Sequence, residues 1–151
     1  MYAPHVATLY NAYENADLTL SYSITVLDGV LMDESNGTNI EKSGLADADA
    51  VTMFIPDSVH AYDNATGNAK TYLPPKQFYA ATNKASYWTL DAGGQSSGAA
   101  SYFIKGIIVE TGANSSYMKM REKYDAVYNV SSVYIRDFGT PDMRHWQVGG
   151  K

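Results

Sequence analysis

Three histidines, His5, His60 and His145, are the first places to look for chemistry, because imidazole binds zinc and titrates near neutral pH. They lie far apart, and none belongs to an HExxH or HxH spacing, so a metal site would need three distant segments to converge. No metal site is expected. His60 lies in a polar stretch and reads as solvated. His145 reads as a strand residue whose ring packs beside Trp146, or as a hydrogen-bond donor at an interface. The acidic pairs Asp33 with Glu34 and Asp47 with Asp49 could exchange a proton or hold a cation, since paired carboxylates beside apolar groups push one pKa up. Yet "GLADADA" has neither the glycine of a calcium loop nor a nearby His or Arg. Asp side chains capping turn amides explain it better.

The remaining motifs do not assemble into a site. "DAGGQSSGAAS" (91–101) is glycine-rich but lacks the GK[ST] ending of a phosphate-binding loop, and reads as a hairpin tip or insertion. Ser96 stands in a literal Gly-x-Ser-x-Gly, Gly94 to Gly98, but no helical pattern follows it as a nucleophile elbow needs, and there is no cysteine, which removes thiol chemistry, disulfides and Cys-based metal sites. No cofactor is expected, and a structural role is favoured over an enzymatic one.

The elements that would position any site are strands. Residues 18–26, "LTLSYSITV", place Leu18, Leu20, Tyr22, Ile24 and Val26 on one face and Thr19, Ser21, Ser23 and Thr25 on the other. This period-two pattern predicts a strand with one buried and one wet face, its even-numbered face resuming at Val30 and Met32 beyond a bulge or turn at "DG". Further strands are predicted at "HVATLYNAY", "AVTMFIP" (50–56), "SYWTL" (86–90), "SYFIKGIIVE" (101–110), "AVYNVSSVYI" (126–135) and "MRHWQV" (143–148). A double proline predicts a short helix over 76–82, and "NSSYMKMREKYDAV" one over about 115–124. The expected fold is mainly β, a small antiparallel barrel or sandwich of about seven strands with one or two short helices, residues 1–151 forming one domain.

Composition bounds the function. The 151 residues carry 11 Lys+Arg against 16 Asp+Glu, a net charge of -5, which argues against a surface built to grip phosphate backbones. The opening "MYAPHVATLY" has no basic stretch before an apolar core, and no run of about 18 apolar residues occurs, so a soluble chain without a secretion signal is expected. Thirteen tyrosines suit both strands and protein contacts. A Trp only five residues before the last one predicts that this end is held in a sheet or against a partner.

Several phrases in order carry a resemblance over nearly the whole chain: "ATLYNAY", "VLDGV", "KSGLADADAVTMFIP", "YLPPKQFYA", "YWTLDAG", "FIKGIIVE" and, most distinctive, "YDAVYNVSSVYIRDFGTPDMRHWQVGGK". Together they resemble a family of small phage and prophage proteins encoded among the head-to-tail joining genes, the minor capsid or head-closure proteins. The chain departs from shorter members in its Gly/Ser segment at 91–101. The resemblance implies a β-barrel-like neck subunit with no enzymatic activity. It further implies a homo-oligomeric ring of roughly six or twelve copies joined head to tail. Such a ring would sit between the portal or adaptor above and the tail terminator or tail tube protein below. Packaged DNA would pass through the lumen without sequence-specific binding. The implied location is the neck of the virion, after assembly in the host cytoplasm, with no membrane contact.

Residue types then nominate surfaces. Tyr134, Arg144, His145 and Trp146 are candidates for the interface, being of types favoured at hot spots or able to donate a hydrogen bond there. Trp146 equally suits the subunit's own core. The polar loops near 33–49 and 57–71 are candidates to project into the lumen, with Asn36, Gly37, Asn64 and Gly67 as their turn residues. An adaptor or tail-completion role in the same neck fits the same features. From another class, exposed Tyr and Trp could stack on sugars in a carbohydrate-binding β-sandwich.

Overall fold

The computed structural model describes residues 2–34, 50–94 and 100–151. Among them the chain forms strands β1 (His5–Glu14), β2 (Leu20–Glu34), β3 (Val51–Pro56), β4 (His60–Tyr62), β5 (Thr71–Tyr72), β6 (Tyr87–Trp88), β7 (Tyr102–Lys105), β8 (Tyr128–Arg136) and β9 (His145–Gly150). Two short α-helices, α1 (Pro75–Ala80) and α2 (Tyr117–Lys123), interrupt them. Hydrogen-bonded neighbours run β1–β7–β8–β9–β3–β2, and β2 returns to β1, so six antiparallel strands close into a ring. Closure removes most of the exposed edges that an open sheet of this size would carry. β4 adds to the edge of β2, and β5 and β6 make a separate two-stranded parallel pair. The protein is therefore mainly β, a small antiparallel barrel with two short helices, as the strand pattern predicts.

β2 shows why the ring can close. Its first part pairs with β1 from Leu20 to Val30, and its last four residues, Leu31 to Glu34, pair with β3. Between these, the register with β1 slips: Val6 faces Asp28, but His5 faces Val30. Gly29 is the extra residue, at φ +101°, a conformation that a side chain disfavours. The slip reverses which face each residue meets. Leu27 before the bulge and Val30 and Met32 after it all join one core with Ala7, Leu9, Met53, Phe103 and Val148. The expected continuity of the even-numbered face through Met32 thus fails at Gly29, and of the bulge or turn expected at "DG" the bulge is what forms, within one strand. His5 stabilises the bulge, its Nδ1 accepting the Met32 amide at 3.0 Å.

The expectation of a wet odd-numbered face also fails. Ser23 and Thr25 are buried, whereas Leu18 and Leu20 are exposed. Ser23 and Thr25 share the face of Leu27, where Ser23 Oγ lies 3.0 Å from Lys84 O and 2.9 Å from Tyr87 O, and the opposite face is covered because the connection from β7 to β8 folds back over the outside. There Tyr22 and Ile24 pack against a second cluster of Tyr10, Tyr102, Ile104, Ile108 and Met120. Polar bonds fix this cover to the wall. Thr8 Oγ1 donates to Gly106 O at 2.7 Å and accepts from the Ile108 amide at 3.0 Å. Tyr10 donates to Glu110 O at 2.8 Å, and Tyr102, stacked on Tyr10 at 4.7 Å, donates to Ser115 O. Ser116 caps α2 through the Lys119 amide. The strand expected over 101–110 stops at Lys105, because Gly106 at φ +104° turns the chain into this cover.

β9 lies in the middle of the wall, between β3 and β8. The expectation that this segment is held in the sheet is met. Asn129 and Lys151 exchange two backbone hydrogen bonds of 3.1 Å. Gly150 is buried where a Cβ would stand 2.7 Å from both Phe103 Cζ and Val51 Cγ1, so only glycine fits.

Candidate functional site

The β8–β9 connection leaves the barrel wall at Arg136 and returns at His145, and at this tip the apolar surface is concentrated. Tyr134 (52 % exposed), Ile135, Phe138 and Met143 are all exposed. Gly139, at φ +87°, and a 3-10 turn over Pro141–Met143 shape the loop, with Thr140 donating to Asp142 Oδ1. Arg136 places its guanidinium 5.1 Å from the Tyr134 ring centre. Arg144 is exposed, while its carbonyl accepts from the Asp57 amide at 3.0 Å. Exposed aromatic and methionine side chains beside arginines are the composition of a protein contact surface.

Of the four nominated interface residues, the structure keeps Tyr134 and Arg144 on this surface and divides the other two. Successive strand residues point to opposite faces, so His145 cannot pack beside Trp146. The His145 ring instead lies 5.8 Å from Phe54, and its Nδ1 is 2.8 Å from Met143 O. Trp146 turns inward and meets Tyr72 at 4.7 Å and Trp88 at 5.4 Å, at the border of the core. The two tryptophans therefore pack on each other rather than forming an open sugar-stacking face.

The loop candidates are partly visible. Asn36 and Gly37, with the acidic pair Asp47 and Asp49, lie outside the described residues. Asn64 and Gly67 belong to a tightly bonded turn. Asn64 Nδ2 donates to Ile108 O at 3.3 Å, the Gly67 amide donates to Asp63 O at 2.6 Å, and the Ala65 amide donates to Asp63 Oδ1 at 2.8 Å. His60 is exposed as expected, although it lies on β4 rather than in a loop. Glu34 is engaged by Tyr128, whose hydroxyl donates to it at 2.6 Å, and by Lys105 at 3.3 Å. These bonds, Tyr128 first, hold its carboxyl below the usual range, which does not suit a general acid.

Sequence reading missed Lys70. It is 7 % exposed, and its Nζ donates to Ser23 Oγ at 2.8 Å and Ile24 O at 3.0 Å. Burial pushes its pKa down to about 8, opposed in part by Asp63. The signal lay in the supposed wet face of β2, where Ser23 is the buried acceptor. Glu110 was also missed. Hydrogen bonds from Lys123 first and Tyr124 second hold its pKa down to about 2, and they anchor α2 to the extended segment before it.

The surface clefts are modest. One of about 360 Å³ is lined by Glu110, Asn114, Lys119, Glu122 and Lys123. Another of about 210 Å³ has walls of Ile24, Ala65, Ile108 and Val109 with Asp63, Asn64 and Thr111. Neither cleft contains a nucleophile beside a histidine base. Among the described residues no three His, Asp or Glu side chains gather as a metal site, and no helix is long and apolar enough to cross a membrane.

The profile of a family described as "Family of unknown function (DUF6751)" matches residues 3–151, and the chain belongs to that family. No curated protein and no solved structure matches the chain.

Proposed function

We propose that the protein is a structural component of the tailed-phage neck, a head-closure subunit that forms a ring between portal or adaptor and tail, retains packaged DNA and offers the tail its docking surface. The reading involves no enzymatic step or cofactor. It places the chain in the virion after assembly in the host cytoplasm. The observation that carries it is the β8–β9 tip. The phrase that most resembles head-closure proteins, "DFGTPDMRHW", contributes the exposed Phe138, Met143 and Arg144, beyond the end of β8, where Tyr134 and Ile135 are exposed on opposite faces of the strand. An apolar, arginine-flanked tip between two paired strands is suited to a persistent protein contact. A net charge of -5 is also compatible with a channel through which DNA passes without being gripped.

Cryo-electron microscopy of particles from the source phage or an induced lysate tests this directly. Density for a ring of this barrel between portal and tail is the expected result, with the β8–β9 tip buried against a neighbour. A fully traced neck without this chain would remove the reading. The double variant Phe138→Ser, Met143→Ser should fold normally yet yield tailless heads.

A further inference from the structure

The segment between β7 and α2 leaves a strand edge that the barrel does not use. After Gly106 turns the chain back over β1, residues 107–111 contain no turn, bend or left-handed residue and so run extended. Their even-numbered backbone groups are spent on the chain's own fold. The Ile108 amide donates to Thr8 Oγ1 at 3.0 Å, the Ile108 carbonyl accepts from Asn64 Nδ2 at 3.3 Å, and the Glu110 carbonyl accepts from the Tyr10 hydroxyl at 2.8 Å. In an extended chain the amide and carbonyl of one residue point to one side, and those of its neighbours to the other. The backbone groups of Ile107 and Val109 therefore face away from Thr8 and Tyr10, and among the described residues no hydrogen bond engages them. Ile107 is 54 % exposed and Val109 69 %, so these groups meet water rather than standing orphaned in a core. Ile108 between them is buried in the second core cluster and pins the edge in place.

An open edge of this kind is a template for another strand. The spacing of its free groups names which one. Ile107 and Val109 each offer one donor and one acceptor, and they stand two residues apart. A two-fold axis through Ile108 sets Ile107 of one copy opposite Val109 of a second copy, and Val109 opposite Ile107. Antiparallel strands exchange two hydrogen bonds within each such pair, so the four free amides meet the four free carbonyls with none left over. The same register lays Ile107 beside Val109 on one face, two cross-strand pairs of β-branched side chains that are exposed in the single chain. It also sets Glu110 opposite Gly106 and Lys105 opposite Thr111, so no like charges are opposed.

We propose that two copies of the chain associate through this edge, residues 107–109 of each pairing antiparallel about a two-fold axis. The contact goes beyond the neck reading and does not rest on it. An isologous contact closes after two copies, so it describes the chain before any ring forms and cannot itself build one.

Residue-resolved hydrogen exchange by NMR on the full chain, followed as concentration is raised, reads the contact without altering it. Sedimentation equilibrium should show a dimer. Once about nine-tenths of the chain is dimeric, the Ile107 and Val109 amides should exchange roughly ten-fold more slowly than in the dilute protein, because they exchange only from the free monomer. Val109→Pro removes a donor that the chain's own fold does not use, and its fixed φ suits an extended segment. It deletes two of the four hydrogen bonds and should weaken the dimer by about ten-fold or more, with the Tm of the dilute monomer unchanged. A chain that stays monomeric at NMR concentrations overturns the proposal. So does a dimer in which these two amides exchange as fast as in the monomer, since it would use another surface, or one that Val109→Pro leaves as tight as before. Particle imaging decides the neck reading separately, so the two can fail independently.

Discussion

Lys70 offers the sharpest test of the packing described here. Its amine is buried against Ser23 and Ile24 with a pKa of about 8, against an ordinary value of 10.5. The folded protein therefore gives up this proton earlier than the unfolded chain does. Between about pH 8 and 10.5 the unfolded state binds more protons, so this group makes stability rise with pH across that window. The full shift corresponds to about 3 kcal/mol. Lys70→Met keeps an unbranched stem in the same space and removes the titration. Urea unfolding of both proteins through that pH range should give stability curves that converge or diverge by about 3 kcal/mol, the parent gaining relative to the variant as pH rises. Contributions from tyrosines are shared and cancel in the difference. Parallel curves would refute the reasoning, because they would mean that Lys70 keeps its ordinary proton affinity when folded.

Three further outcomes follow from other parts of the molecule. Gly150→Ala should destabilise by about 1–3 kcal/mol, read as a lowered urea midpoint, because the added methyl meets Phe103, Val51 and the Tyr128 Cβ below 3.0 Å. Burial raises the hydroxyl pKa of Tyr10, Tyr79, Tyr102 and Tyr128, so their contribution is complete below pH 10 and is lost as pH climbs further. Tyrosinate absorbance should then appear in step with loss of circular dichroism rather than before it. Glu110→Gln should leave the barrel intact but speed hydrogen exchange in α2, since Lys123 and Tyr124 lose their shared carboxylate.

The sequence revealed strands more readily than it revealed what covers them. Residues 18–26 read clearly as a strand because alternation is a property of the pleat. Alternation says nothing about whether the polar face meets water, and here Ser23 and Thr25 are buried on the face that Leu27 gives to the barrel core. Gly29 was recognisable as a bulge or turn, but the parity change it causes depends on pairing with β1. β4 and β5, of three and two residues, are too short to show any period. The tip residues Tyr134 and Arg144 were nominated by type, whereas Phe138 and Met143 emerged only once the connection was seen to leave the wall. Lys70 was invisible because a lone lysine in a turn-rich stretch normally reaches solvent.

The ring places β1 and β9 opposite one another, with β7 and β8 on one side and β2 and β3 on the other. A mechanical load applied between these two strands is consequently divided between two paths and must break both before they separate. The paths are unequal. On one side, β7 and β8 share two pairs, Tyr102 with Asn129 and Phe103 with Tyr128, extended by the Val130 amide donating to Ser101 O at 3.0 Å, whereas on the other β2 and β3 are joined over four pairs. Under tension the barrel should unzip first between β7 and β8 and remain for a time as a curled open sheet, a weak seam fixed by the lengths of two ladders.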